Sequence, residues 1–584
     1  MTMFARLRPL VPYLKRYWKS LAWGGVATIF YNVIKVLLPL VIGHAIDDLH
    51  HGLTETKIIH HALRLLGVAA MSAIFLYITR QVIIGASREI EFDLRNDLFA
   101  NLERQPANFY HTHRTGDIMA RTTNDLNAVR QLLGPAIMYS ANTIVFTAAA
   151  LPFMWRISPK LTMCAVLPLP LASVLVQYFG ARIHTRFERI QAMFSDISAK
   201  AQENFSGARL IRAFAQEDAE IASFETANQE YIRRSLLLVR LMAMLWPTLE
   251  FVLGLALMIS LLVGGHEVVT HRISVGEFTA FNVYLVQLTF PMIAIGWVVN
   301  LFQRGTASVV RIDELLKQVP EICDDERAVV GAAPVAGGIS FRGLSFSYPG
   351  SGPVLKQIDL EIPGGSSLAL VGPTGSGKST LVNLIPRLQD AEPGMVLIDG
   401  RPIREYRLGE LRAGIGFVPQ ETFLFSSTIR DNIAFGTPKA TLEEIEQAAE
   451  TAYIRREILE FPKGFDTAVG ERGVTLSGGQ KQRTAIARAV IRDPKILILD
   501  DALASVDTYT EDRILSGLKQ VMAGRTTIFI AHRVSTARHA DQIAVLVEGR
   551  IAELGTHDEL LARGGYYTSL YEKQQLEEEL AVTS

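Results

Sequence analysis

The chain has little cysteine and almost no net charge. Its only two cysteines, Cys164 and Cys323, predict neither a disulfide framework nor a cysteine metal cluster. The formal net charge is −1, so no overall charge favours nucleic acid as a partner. No signal peptide is evident, because the basic N-terminus runs into an apolar stretch that is too long for a removable hydrophobic region.

Apolar residues make up 49% of the 584 residues, and the mean hydropathy is +0.21. This composition fits a chain of more than one domain that includes membrane spans. Each of six apolar runs is about long enough to cross a bilayer as a helix, which predicts an all-α transmembrane domain. The runs cover residues 21–46, 58–84, 133–155, 161–180, 243–264 and 278–301.

The distribution of charge predicts the orientation of these spans. The first 20 residues contain no acid and carry basic residues interleaved with aromatic ones, which is typical of an amphipathic segment on the cytoplasmic face. The loop after the first run is acidic, with Asp47, Asp48 and Glu55 against Lys57, and therefore lies outside. An even number of spans then returns the second half of the chain to the cytoplasm.

Two of the inner connections, residues 87–130 and 182–240, are unusually long. Both are charged but keep helical apolar spacing, so we expect the spans to continue into the cytoplasm as helices. Each contains a candidate turn, at residues 109–117 and 203–209. A linker rich in proline and glycine, residues 319–338, separates a transmembrane domain (1–318) from a second domain (339–584).

The second domain has an α/β pattern, and its most specific stretch lies between a strand-like run and a helical run. It fits the phosphate-binding pattern G-x-x-x-x-G-K-[ST]. Glycines let successive backbone N–H groups turn towards phosphate, Lys378 reaches the β- and γ-phosphates, and the Ser379 hydroxyl coordinates Mg²⁺. The predicted ATP-binding residues of this loop are Gly372, Pro373, Thr374, Gly375, Ser376, Gly377, Lys378, Ser379 and Thr380.

Two further patterns lie downstream. Four apolar residues, 496–499, end in Asp500, as in a buried strand that delivers a Mg²⁺-binding carboxylate at its edge. Residues 476–480 open a predicted helix with Ser477 at the N-cap, and their glycines leave the helix N-terminus open to an anion.

Taken together, these motifs resemble those of an ATP-binding cassette (ABC) transporter of the exporter type, as a half-transporter, over nearly the whole chain. Residues 372–380 match its Walker A motif, 476–480 its signature and 496–500 its Walker B motif. Gln420 matches the Q-loop residue, residues 504–507 resemble the D-loop, His532 matches the switch histidine, and Tyr348 is similar to the aromatic residue that stacks on adenine. Residues 469–473, 109–117 and 203–209 resemble segments that couple the two domains.

The resemblance implies a six-helix transmembrane domain followed by an α/β P-loop NTPase domain. It implies ATP and Mg²⁺ as cofactors, with Mg²⁺ held by Ser379, Gln420 and Asp500. Two such domains pair head to tail in the family, so a second half-transporter chain is the expected partner. The signature residues that would then contact ATP are Ser477, Gly478, Gly479 and Gln480. The implied catalytic residues are Asp501, His532 and Gln420.

Asp501 is a departure from the family, which usually has glutamate after the Walker B aspartate. A general base must lie within about 3 Å of the attacking water. Because aspartate is one methylene shorter than glutamate, we expect its carboxylate to lie too far from that water. We therefore predict a site that binds ATP and hydrolyses it slowly, within a heterodimer whose partner carries the glutamate. A homodimer in which Asp501 is sufficient is the alternative.

Few residues of the membrane half stand out. Lys35 and Glu250 lie inside apolar runs. For each we expect a structural pair or a position outside the hydrocarbon, more than the contact with a cationic or polar substrate that Glu250 would otherwise suggest. The span asparagines are expected to hydrogen-bond between helices. Histidines crowd the first outer loop, and we expect a hydrated loop there more than a metal or pH site: His44, His50, His51, His60 and His61.

The predicted function is ATP-driven export of an amphipathic or hydrophobic substrate (a drug, lipid or peptide) across the plasma membrane by alternating access. The expected partners are a second half-transporter chain, the lipid bilayer and a small amphipathic substrate, with no nucleic acid. An ATP-gated channel, or a regulatory membrane protein that binds ATP without pumping, is the alternative. An importer is less expected, because importers of this superfamily usually carry spans and cassettes on separate chains.

Overall fold

The computed structural model describes residues 3–50, 54–325, 328, 335–470, 476–503, 508–531 and 533–583. The chain forms two compact units. One contains residues 1–103 and 114–318, and the other contains residues 104–113 and 319–584.

The first unit is helical, and the described residues include six helices long and apolar enough to span a membrane. This confirms the predicted six-span architecture. Two π-helical turns, Arg121–Asp125 and Leu132–Ala136, join α6, α7 and α8 into one span. The helices up to residue 316 are α1 Met3–Arg6, α2 Val11–Arg16, α3 Trp18–His50, α4 Glu55–Leu102, α5 Ala107–Thr112, α6 Thr115–Ala120, α7 Leu126–Gln131, α8 Ile137–Ile157, α9 Pro159–Val166, α10 Leu169–Ser206, α11 Ala208–Ala213, α12 Glu217–Val269 and α13 Val275–Leu316.

The long inner connections are helical, as their apolar spacing predicted. Helix α4 continues to Leu102, well beyond the end of its apolar run at residue 84, and α10 continues to Ser206. The chain reverses at Gly207, where the short α11 follows α10. At the opposite end of the bundle, the Asp47 carboxylate accepts hydrogen bonds from Ser274 Oγ (2.6 Å) and from the Gly276 N–H (2.7 Å), which ties the end of α3 to the start of α13.

The basic N-terminal segment packs against α4. Tyr13 donates to Asp97 at 2.6 Å, and Arg16 and Tyr17 both donate to Asp93, at 2.7 and 3.0 Å. Part of its basic charge is therefore used in an ion pair within this unit.

The second unit contains two sheets. The larger one has the strand order β10-β9-β3-β8-β7-β6, in which β9, β3, β8, β7 and β6 run parallel and β10 is antiparallel to β9. The smaller antiparallel sheet has the order β2-β1-β4-β5. The strands are β1 Ile339–Ser347, β2 Pro353–Ile362, β3 Ser367–Val371, β4 Val396–Ile398, β5 Arg401–Pro402, β6 Ile415–Val418, β7 Ile496–Asp500, β8 Thr526–Ile530, β9 Gln542–Val547 and β10 Arg550–Gly555.

The larger sheet is covered on both faces, which explains why its strands read as continuous apolar runs. In β3, Ala369 and Val371 face one apolar core, while Leu368 and Leu370 face the other. The helices of this region are α14 Lys378–Leu384, α15 Leu408–Ala413, α16 Ile429–Ile433, α17 Leu442–Thr451, α18 Arg455–Glu460, α19 Gly478–Val490, α20 Thr508–Met522, α21 Val534–Ala537, α22 His557–Arg563 and α23 Tyr566–Thr583.

Because parallel strands end at the same edge, the residues that follow β3, β6 and β7 come together there. The phosphate-binding loop follows β3, Gln420 follows β6, and Asp500 is the last residue of β7. Ligands of open α/β sheets bind at this carboxyl edge.

Candidate nucleotide site

Two glycines of the loop occupy positions that a side chain would block. Gly372 has φ +148°, and a Cβ there would lie 2.1 Å from the Leu546 carbonyl oxygen. Gly377 has φ +102°, and its Cβ would lie 2.8 Å from Leu355 Cδ2. Only glycine lets the backbone turn this tightly between β3 and α14.

Lys378 begins α14 and is only 6% exposed. Its ammonium donates to the carbonyl oxygens of Gly372 and Pro373, both at 2.9 Å. Burial lowers the pKa of Lys378, and the nearby Asp500 and Asp501 carboxylates oppose that shift. The loop thus holds a lysine whose charge is costly to bury, as expected of a group that binds phosphate.

The loop also contains a buried hydroxyl that has no hydrogen-bond partner in the part of the chain that the structure describes. It belongs to Ser376, which is 3% exposed. An unsatisfied buried hydroxyl costs about 1–3 kcal/mol. A phosphate oxygen would satisfy it, so this residue fits a loop that closes around an anion.

The two predicted Mg²⁺ ligands of the loop and of β7 lie side by side. Ser379 Oγ donates to Asp500 Oδ1 at 3.0 Å, and Asp500 is 4% exposed. A hydroxyl and a carboxylate are the hard oxygen ligands that Mg²⁺ prefers. The third predicted ligand, Gln420, is exposed and makes no hydrogen bond to either of them among the described residues.

Tyr348 lies beside the same loop. Its hydroxyl is 3.2 Å from Thr380 Oγ1, and its ring packs edge-on against Phe346 with the centroids 5.0 Å apart. The half-buried ring is therefore held near the start of α14, where an adenine base could stack on it.

Asp501 follows β7 directly and has left-handed backbone geometry, with φ +50°. Aspartate is one of the few residues other than glycine that tolerates this conformation. The Gln482 side-chain amide donates to the Asp501 carbonyl oxygen at 3.5 Å. The position predicted to activate water therefore lies on a sharp backbone turn, which limits how far a short side chain can be redirected.

Ser477 is the N-cap of α19, as its sequence position predicted. Its hydroxyl accepts from the Gln480 N–H at 3.2 Å, and Gln480 Oε1 accepts from the Ser477 N–H at 2.9 Å. The Gln480 side-chain nitrogen, Nε2, donates to the Glu457 carboxylate at 2.9 Å, and the same carboxylate accepts from Arg483 at 2.6 Å. The Gln480 side chain therefore stabilises the start of the helix, while Gly478 and Gly479 leave it open.

Three predicted segments lie outside the described residues. They are His532, the D-loop-like residues 504–507, and residues 471–473 of the predicted coupling segment 469–473.

The sequence analysis missed a buried acid close to this edge. Glu511 of α20 is 4% exposed, accepts from Arg533 at 2.6 Å and binds the Thr536 hydroxyl. With Asp501 it lines a cavity of about 130 Å³. No short motif contains Glu511, Arg533 or Thr536. Glu511 lies on α20 and its two partners lie after β8, so their contact leaves no signal in the local sequence.

In the first unit, Lys35 is half-buried, and its ammonium lies 4.9 Å from the ring centroid of Phe146 and 5.8 Å from that of Tyr31. Asn32 donates to Asn142 at 2.9 Å, which confirms an interhelical hydrogen bond for this pair.

Two other predictions for this unit have different outcomes. Glu250 is exposed on α12, so the structure shows no buried pair for it. The expectation of a hydrated histidine loop is wrong for His61, which is 8% exposed within α4 and lies 2.8 Å from Asp48. Both α3 and α4 extend further than the apolar runs, which leaves only a short connection between them.

A phosphate loop and a Mg²⁺-type acid at the carboxyl edge of a parallel sheet, in a chain with six apolar helices, define a P-loop nucleotide-binding unit within a multi-pass membrane protein. Two family models match the chain: the ABC transporter transmembrane region over residues 21–292, and the ABC transporter model over residues 355–504. The chain therefore belongs to the ABC transporters, as a half-transporter of the exporter type.

Similar proteins cover nearly the whole chain. The multidrug resistance-like ATP-binding protein MdlA of Escherichia coli is 36% identical over 583 residues, which are 99% of this chain and 97% of that protein. An ATP-dependent lipid A-core flippase of Syntrophus aciditrophicus is 38% identical over 84% of this chain and 82% of its own length. The solved structure of a bacterial Atm1-family ABC exporter with ATP bound has a TM-score of 0.77 and 28% identity, covering 96% of this chain and 98% of that one.

Proposed function

We propose that this chain is one half of an ATP-driven exporter that moves an amphipathic or hydrophobic substrate, a drug, lipid or peptide, across the plasma membrane by alternating access. The relatives named as multidrug resistance-like protein and lipid flippase support this class of cargo. Residues 1–318 serve as the transmembrane domain, 319–338 as the linker and 339–584 as the cytoplasmic ATP-binding domain. The N-terminus is also cytoplasmic.

Each site residue has a distinct role in this proposal. Lys378 and the loop amides bind the phosphates of ATP, and Tyr348 stacks on adenine. Ser379, Asp500 and Gln420 hold Mg²⁺, which neutralises charge on the phosphates when bound. The signature residues Ser477, Gly478, Gly479 and Gln480 complete the site of a partner chain, and His532 acts as the switch histidine.

Asp501 makes the chain's own site slow, and the partner is a different half-transporter that carries a glutamate there. The observation that supports the proposal is the Ser379–Asp500 pair next to Asp501: two of the three predicted Mg²⁺ ligands lie side by side, whereas the next carboxylate is one methylene shorter than glutamate and its backbone is left-handed. A misplacement of about 1 Å costs roughly a hundredfold in rate.

The test is the ATPase rate of the purified chain, alone in proteoliposomes, against Asp501→Glu. We expect slow turnover by the chain itself and an increase of at least about tenfold in the variant, with ATP affinity unchanged. Asp493→Glu is the matched control, because Asp493 also has φ +50° and is paired with Arg525. Fast turnover that Asp501→Glu does not raise would contradict the slow site.

Export itself is tested by substrate movement. Vesicles that hold this chain and a partner purified with it should accumulate an amphipathic dye against its gradient when ATP is added. Flux that only dissipates the gradient would indicate an ATP-gated channel instead.

A further inference from the structure

An arginine-lined cavity lies between α10 and α12, in a part of the first unit that the proposed export cycle does not use. It is open to solvent and has a volume of about 320 Å³. We call it the arginine cavity, and its lining residues are Arg186, Arg189, Ile190, Arg233, Arg234 and Leu237.

The positive charge of the arginine cavity is only partly compensated. Arg233 and Arg234 share one carboxylate, that of Glu230, with both Nε–oxygen distances at 2.7 Å. Arg189 makes no ion pair with any described residue.

The remaining polar contacts leave this excess of charge in place. Arg186 donates to the Leu237 carbonyl oxygen at 3.2 Å, which engages part of its guanidinium without neutralising it. The nearest other acid on α10, Glu188, pairs with His184 at 3.1 Å. The arginine cavity therefore carries an excess of positive charge, and planar guanidinium groups suit the oxygens of phosphate.

The arginine cavity lies where two spans leave the bilayer. The apolar run of α10 ends at residue 180, so Arg186 lies about 9 Å further along the helix. The run of α12 begins at residue 243, so Arg234 precedes it by about 13 Å. Headgroups extend about 5–7 Å beyond the hydrocarbon on each side, and a long arginine side chain spans the remaining distance.

An apolar surface continues from the spans to the arginine cavity. Leu237, which is 43% exposed, and Ile190 form part of the lining itself, and Leu241 follows Leu237 by one helical turn towards the span. A ligand that fits this surface has an anionic head and hydrocarbon next to it, which a soluble anion lacks.

We propose that the arginine cavity binds the phosphate headgroup of an anionic phospholipid of the cytoplasmic leaflet. The assignment of the leaflet rests on the orientation given under the proposed function, whereas binding itself rests on the arginine cavity alone.

The test measures lipid binding to the purified full-length chain in detergent by native mass spectrometry, with phosphatidylglycerol and phosphatidylcholine as probes and no nucleotide present. We expect phosphatidylglycerol to bind more tightly, and Arg186→Gln/Arg189→Gln to weaken it at least about tenfold without affecting phosphatidylcholine. Arg233→Gln/Arg234→Gln, on the facing helix, should show the same loss. Arg186→Lys/Arg189→Lys, which keeps charge but loses the planar fork, should fall between these results.

The matched control is Arg456→Gln/Lys463→Gln, which removes the same charge from exposed residues of the second unit and should bind phosphatidylglycerol as the unmodified chain does. Equal binding by the unmodified chain and both cavity variants would overturn the proposal. So would glycerol 3-phosphate binding as tightly as phosphatidylglycerol, since the site would then recognise a soluble anion. ATP affinity, measured separately on the same samples, tests the proposed function independently and shows that the variants are folded.

Discussion

Each unit surrounds one lysine with partners of a different kind. Lys378 of the second unit bonds two loop carbonyl oxygens and lies near two aspartates. Lys35 of the first unit lies over the rings of Phe146 and Tyr31, and no described acid pairs with it. Lys378 is buried and Lys35 is half-buried, but only the ammonium of Lys378 has polar partners that hold it in a fixed direction.

The difference teaches how much a local motif can specify. The partners of Lys378 lie five and six residues away in the same loop, so they come with the motif. The ring of Phe146 comes from α8, far along the chain, so only tertiary packing places it. Lys35 also lies about 25 Å along α3 from Trp18, near the middle of a bilayer-spanning helix, where an ionisable group is costly and usually functional.

The largest expected effect is on the motif lysine. Lys378→Ala should weaken ATP binding by roughly a hundredfold, because charge-assisted hydrogen bonds to phosphate contribute about 1.5–3 kcal/mol each. The measurement is equilibrium binding of a fluorescent ATP analogue to the purified chain. Lys463→Ala, an exposed lysine of the same unit, is the control. If Lys378→Ala bound ATP as tightly as the unmodified chain, Lys378 would not bind phosphate and the contrast with Lys35 would have no basis.

The loop and the end of β7 could be predicted because each is a contiguous pattern with its own physical requirement. A glycine with positive φ, a capped helix and a buried strand are all local. Parallel strands then bring Ser379 and Asp500 together although they are 121 residues apart. The six spans follow in the same way from long apolar runs.

What the sequence did not reveal depends on contacts between separate elements. Glu511 meets Arg533 and Thr536 only when α20 contacts the segment after β8, and the arginine cavity exists only because α10 and α12 lie side by side. His61 reads as a loop residue, but the helices on both sides extend far enough to bury it. Periodicity describes one face of one helix and says nothing about the neighbour on that face.

A second, smaller effect is expected at the metal ligands. Asp500→Asn keeps the shape of the side chain but removes the charge that faces Mg²⁺. ATP affinity is measured with and without Mg²⁺. The ratio of the two affinities should differ clearly from one in the unmodified chain, and it should be at least about tenfold smaller in the variant. Chelation of Mg²⁺ should reproduce the change. If ATP affinity depended on Mg²⁺ as strongly in Asp500→Asn as in the unmodified chain, Ser379 and Asp500 would not be the residues that hold the metal.

An effect of a few fold is expected at Glu511, which we regard as a positioning residue. Glu511→Gln replaces its ion pair with Arg533, which is next to His532 in sequence, by a hydrogen bond to a neutral amide. The maximal ATPase rate should fall a few fold, with ATP affinity unchanged. Since Arg533 remains 42% exposed and can be hydrated, the loss of stability should be only about 1–3 kcal/mol.

A purely structural Glu511 would give a different result. Stability and activity would then fall together, and Glu511→Gln/Arg533→Gln would restore both. If Glu511 positions the segment after β8, the double variant recovers the melting temperature but not the ATPase rate.

The smallest expected effect is at Lys35, and it decides whether the two lysines really differ in role. Lys35→Met keeps an unbranched side chain of similar length that packs well against aromatic rings and removes the charge. If the cation serves substrate binding, transport should show a KM change of a few fold, opposite in sign for anionic and cationic dyes, while ATP affinity stays the same. If Lys35 only fills the space between α3 and α8, both dyes should keep their KM and the thermal stability should rise, because a half-buried charge with no acidic partner among the described residues has been removed.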